Sequence, residues 1–160
     1  MNWKTTFVSS RRFTPLETTL LHAVAPKLSE QSRDLFMKQI AAINRIQRIL
    51  NWQEIDFYCM RFPRRVVWNP IVLFPNRSEF TLASITYSTG GISLETTLES
   101  VSGHIFSLET ETALREHSFA DDIQIKKLSV SDEAMTEKPE PCAAGDSSTR
   151  ADAGFEPPEH

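Results

Sequence analysis

Cysteine and glycine are both scarce in this 160-residue chain, and neither occurs in a pattern that chemistry commonly uses. Two cysteines, Cys59 and Cys142, cannot build a disulfide framework or a four-cysteine zinc site. Five glycines include Gly90-Gly91 but no GxGxxG or GxxxxGK[ST], so a phosphate-cradling loop has no sequence basis. HExxH, CxxC and GxSxG are also missing, and the four histidines are scattered. No apolar run approaches the roughly 18 residues of a membrane helix. The start, MNWKTTFVSSRRF, has no secretory apolar core of about 7–15 residues. The expectation is therefore a cytoplasmic protein with reduced thiols, no metal and no cofactor.

What is present is ordinary globular composition with an uneven charge distribution. The formal net charge of -4 combines a body, residues 1–120, holding 13 Lys+Arg and 11 Asp+Glu, with residues 121–160, holding 4 and 10. From residue 131 apolar residues become sparse and Pro139, Pro141, Pro157 and Pro158 appear. Such a segment buries too little apolar surface to offset its ordering entropy. The expected organisation is a single domain over 1–130 and an acidic disordered tail over 131–160.

Thr14-Pro15-Leu16-Glu17 reads as a helix start: a capping threonine, proline at the first helical position and the glutamate of a capping box. Leu16, Leu20, Ala23 and Val24 share one face, and Pro26 should stop this helix. A second helix is expected from Ser29 or Ser32 to about Asn51. Its wide apolar arc holds Leu35, Phe36, Ile40, Ala42, Ile43, Ile46, Ile49 and Leu50. Gln39 and Gln47 fall inside that arc and would need hydrogen-bond partners. Arg33, Asp34, Lys38, Arg45 and Arg48 form the opposite stripe.

After Trp52 the period becomes two. Strands are expected over 54–60, over an interrupted edge at 66–68 and 71–74, over 80–88 and 92–99 around the Gly90-Gly91 turn, and over 104–110. Residues 3–8 and 123–128 are candidates for further strands. The expected fold is α+β: an N-terminal helix pair on one face of a four- or five-stranded, mainly antiparallel sheet.

The alternation places His104 inward with Phe106 and Leu108, and Glu54 and Asp56 outward. An enzyme using His104 with Glu54 or Asp56 is thus a second alternative, since it requires groups on opposite faces to converge. The arginines are more suggestive. Arg61, Arg64 and Arg65 crowd the RFPRRVVW loop beside Trp68, and arginine with aromatic groups anchors phosphate, carboxylate or protein partners. The first expectation is a noncatalytic protein-binding module of inhibitor, antitoxin or immunity type. Its candidate residues are Arg61, Arg64, Arg65, Trp68, Lys38, Arg45 and Arg48. The alternative, binding of nucleic acid or a phosphate ligand, requires the helix stripe and loop to merge into one positive surface.

Overall fold

The structure, a computed structural model, describes residues 8–137. Nine strands and two α-helices follow the order β1 (Val8–Ser10), α1 (Pro15–Val24), α2 (Glu30–Ala42), β2 (Arg45–Ile49), β3 (Glu54–Tyr58), β4 (Met60–Arg61), β5 (Arg65–Val66), β6 (Phe80–Thr89), β7 (Ile92–Val101), β8 (His104–Glu109) and β9 (Gln124–Val130). Seven form one sheet in the order β1-β2-β3-β8-β7-β6-β9, and every pairing is antiparallel. The fold is α+β as the pattern implies, but the sheet is larger than four or five strands. The extra width comes from β1, β2 and β9.

Helix α1 begins as its capping box dictates. The Glu17 amide donates to Thr14 Oγ1 at 3.3 Å, and the Thr14 amide to Glu17 Oε2 at 2.8 Å. Leu16, Leu20, Leu21 and Val24 are buried, while a 3₁₀ turn over Ala25–Lys27 accommodates Pro26. Helix α2 starts at the Ser29 cap but stops at Ala42, about nine residues before the expected end. Ile43 is already extended, and the RIQRI of β2 alternates with Ile46 and Arg48 buried. A spacing of three between Ile43, Ile46 and Ile49 mimics a helical face. Pairing with β3, Ile46 opposite Phe57 and Arg48 opposite Ile55, decides for the strand.

One core unites both helices with the covered sheet face: Leu20 and Phe36 meet Ile46, Ile55, Phe57, Ile85, Leu98 and Leu108 in the same cluster. Gln39, fully buried, finds the partners its position demands. Its Nε2 donates to the carbonyls of Val72 (2.7 Å) and Gly103 (3.1 Å), and its Oε1 accepts from the Ile105 amide (2.8 Å). Packing continues past residue 130, because Ala134, in a 3₁₀ turn over Asp132–Met135, is 1% exposed. The edge expected at 66–68 and 71–74 is instead the short β5 and a 3₁₀ turn over Pro70–Val72. Residues 3–7 lie outside the described chain, as does the tail beyond residue 137.

A bulge in β8 reverses the expected facing of His104. Ser107 pairs with Glu99 and Ile105 with Ser100, so Phe106 is the extra residue. Ile105 and Leu108 both reach the core, and His104, Phe106 and Ser107 are turned to the uncovered face. A period-two reading carried through Phe106 inverts the residues before it.

Candidate functional site: an arginine-lined groove

Beyond Tyr58, strand β3 continues through Cys59 into β4. Asn44 holds the join. Its amide donates to the Tyr58 carbonyl at 3.1 Å, its Nδ2 donates to the Met60 carbonyl at 2.9 Å, and its Oδ1 accepts the Met60 amide at 2.8 Å. The side chain thus replaces a backbone partner where the ladder is interrupted. Strands β4 and β5 form a two-stranded ribbon closed over Phe62 and Pro63. The Phe62-Pro63 bond is cis, and the Arg64 amide donates to the Arg61 carbonyl at 2.9 Å, closing a turn with cis proline at its third position. Arg64 adopts φ 133°, a region that side chains rarely occupy and that recurs at functional sites.

This ribbon, the start of β2 and the residues following β1 enclose an open groove of about 740 Å³. Four arginines line it: Arg11 from one wall, Arg45 from the β2 start, and Arg61 and Arg64 from the other wall. No carboxylate is among its lining residues, and the ion pairs of the described residues lie elsewhere. Arg45 Nε is buried without a hydrogen-bond partner, and Arg61 stands directly opposite Arg65 across the ribbon. Like charges facing across a strand pair repel. Phe62, at the tip, is 99% exposed.

The seven residues singled out from sequence separate accordingly. Arg45, Arg61 and Arg64 come together in the groove, and Arg65 is exposed on the ribbon beside it. Trp68 lies against His104 instead, with ring centroids 4.5 Å apart and nearly parallel. Lys38 sits on the exposed side of α2 and pairs with Asp34 at 3.4 Å. Arg48 is 2% exposed, on the core side of β2. Its Nε and Nη2 meet the two Glu17 carboxylate oxygens at 2.6 and 2.7 Å, and its guanidinium lies 4.9 Å from the Trp52 ring centroid. The proposed helix stripe is therefore divided: Arg45 faces outward from a strand, Arg48 faces the core, and Arg33 and Lys38 remain on the helix. Arg11 was missed. The Arg11-Arg12 dipeptide is evident in the sequence, but which of the two reaches the groove depends on the path of β1.

A second polar cluster occupies the uncovered face. Asp56 is 3% exposed, contrary to its expected solvation, and Tyr58 Oη donates to its Oδ2 at 3.0 Å. Burial, above all, and the nearby Glu54 and Glu109 carboxylates push Asp56 up to about 6, against the lowering effect of Tyr58. Burial and Asp56 push Tyr58 to about 12, so it stays a phenol. Burial lowers His104, whose Nδ1 lies 3.0 Å from the Ile105 carbonyl. His104 now shares a face with Asp56, but Phe106 and Tyr58 stand between them, at ring separations of 6.3 and 6.2 Å. Among the described residues no hydrogen bond joins His104 to Glu54 or Asp56. No set of three His, Cys, Asp or Glu side chains there forms a metal cage.

Asp56 has a measurable consequence. Its proton is held more tightly folded than unfolded, so its contribution to stability is full below about pH 4 and is lost as pH rises through about 6. Replacing Asp56 with Asn should therefore stabilise the fold at pH 8 by roughly 1–3 kcal/mol and change it little at pH 4. Urea unfolding at both pH values measures this; an equal effect at both would refute the assignment.

Fold and groove together define a small α+β sheet protein with a cationic groove at one end of its sheet. No protein-family model, curated protein or solved structure matches the chain. No helix of the described residues is long and apolar enough to cross a membrane.

Proposed function

We propose that this chain is a noncatalytic binding module whose groove receives an acidic segment of a partner protein. The observation that carries the reading is four arginines converging on one groove with no carboxylate among its lining residues. Guanidinium groups bind carboxylates through paired, charge-assisted hydrogen bonds, and an exposed aromatic beside arginine has the composition of an interface hot spot. Phe62 supplies that aromatic. An inhibitor, antitoxin or immunity-type role is compatible with such docking. The nucleic-acid reading draws less support, because of the supposed helix stripe only Arg45 lines the groove, while Arg48 is buried against Glu17.

A fluorescein-labelled peptide of alternating glutamate and phenylalanine is a suitable probe. Anisotropy titration should show saturable binding that weakens with salt. The double variant Arg61→Glu/Arg64→Glu should bind at least about tenfold more weakly, since each reversal replaces an attraction with a repulsion. Both substitutions are on exposed positions, so unchanged circular dichroism is the accompanying control. Equal binding by both chains, or a preference for a mixed-sequence oligonucleotide over the peptide, overturns the proposal.

A further inference from the structure

We propose that the chain's own acidic segment at residues 151–159 occupies the arginine groove in cis and competes there with a partner. Its sequence, ADAGFEPPE, carries Asp152, Glu156 and Glu159 and has no lysine or arginine. Phe155 gives the segment the same pairing of aromatic and charge, with opposite sign, that Phe62 and the arginines present. Complementarity of charge alone would select many acidic segments; position and reach select this one.

The registers place Ser10, Arg45, Tyr58, His104, Val101, Phe80 and Val130 at one end of the sheet. The groove opens at that end beside β2, and the last described turn, Asp132–Met135, leaves β9 at the same end. The Ser131 amide donates to the Leu82 carbonyl, and Asn76 donates to the carbonyls of Glu133 and Ala134, which fixes this exit near the start of β6. From β9 to β2 the sheet order gives five strand spacings, or about 24 Å at about 4.8 Å each. Phe155 follows Glu137 by 18 residues. Eighteen residues of chain can extend to roughly 60 Å at about 3.3 Å each, so the groove is within reach. Tethering makes the contact intramolecular, and its effective concentration can reach the millimolar range when the linker spans the sites. An intrinsic dissociation constant at or below about 1 mM then suffices for substantial occupancy.

Direct proximity can be read in the full chain without knowing the partner. A nitroxide placed by Ala153→Cys, with Cys59→Ser and Cys142→Ser, should broaden the amide signals of Asn44, Arg45, Arg61 and Arg64 at low salt. Signals of the Gly90-Gly91 hairpin, at the far end of the sheet, should remain sharp. Adding Asp152→Asn, Glu156→Gln and Glu159→Gln should remove the broadening. Equal broadening at both ends, or none at the groove, overturns cis occupancy. The rivalry is read separately, from the anisotropy probe. The unlabelled chain with the three neutralised carboxylates should bind it about tenfold more tightly than the parent, as expected when a tethered competitor is removed. Groove broadening without probe binding by either chain would retain cis occupancy and refute the competition and the acidic-partner reading. Equal probe binding without broadening would retain the partner reading and refute the tail's role.

Discussion

Arg48→Ala should destabilise the fold by about 3–5 kcal/mol, because it leaves the Glu17 carboxylate buried without its counter-charge. Arg48 and Glu17 have side-chain exposures of 3% and 1%, and two short hydrogen bonds join them. Arg48 Nη2 also donates to the Arg12 carbonyl at 3.1 Å, so the guanidinium fastens the chain before α1 to the sheet. The Glu17 carboxylate meanwhile caps α1 through the Thr14 amide. A second variant separates charge from packing. Glu17→Leu combined with Arg48→Leu removes both charges, and it should be less destabilised than Arg48→Ala. Chemical unfolding of the three chains measures the order. A loss below about 1 kcal/mol for Arg48→Ala would contradict the buried pair. Lys38→Ala provides the contrast, since its exposed pair with Asp34 is worth only a few tenths of a kcal/mol.

Gln39→Leu is the second large effect, at about 2–4 kcal/mol of lost stability. Leucine suits a buried helix position sterically, so the cost isolates the amide's hydrogen bonds. The Gly103 carbonyl retains the Phe74 amide at 2.7 Å, whereas the Ile105 amide and Val72 carbonyl lose the partners Gln39 provides. These contacts bind α2 to both β8 and the 3₁₀ turn at Pro70–Val72. The substitution should therefore also speed hydrogen exchange at Ile105 relative to Ile85, which lies farther along the sheet. Full stability with unchanged Ile105 exchange would show that the buried amide contributes nothing net.

Local signals were legible where the chain decides its structure within a few residues. The Thr14–Glu17 capping box and the Gly90-Gly91 turn appear at their expected positions, and α1 ends at Val24, just before Pro26, although a 3₁₀ turn continues through that proline. Ile43, Ile46 and Ile49 suit a helix and a strand alike, and only the distant pairing with β3 distinguishes them. The Phe106 bulge has the same character, because its extra residue exists only relative to Glu99 and Ser100. Of the candidate site, Arg61 and Arg64 were legible as a local cluster and Arg45 as a basic residue. Their convergence with Arg11 was not, since it joins segments separated by dozens of positions in sequence. Arg48 carried the same charge as its neighbours in the supposed stripe. Its one-position offset along β2 from the outward-facing set decides that it pairs with Glu17 inside.

The outer strand β9 has a bearing on self-association. It ends the sheet order and so leaves one side of its backbone outside the ladder of described strands. Lys127 pairs with Thr86 and Ile125 with Tyr87, so Lys126 is the extra residue at a register shift, and both lysines are exposed. A second copy approaching antiparallel would bring its own two lysines against these, and the irregular spacing would misalign their donors and acceptors. At this edge, growth of β9–β9 stacks is opposed by charge and geometry together.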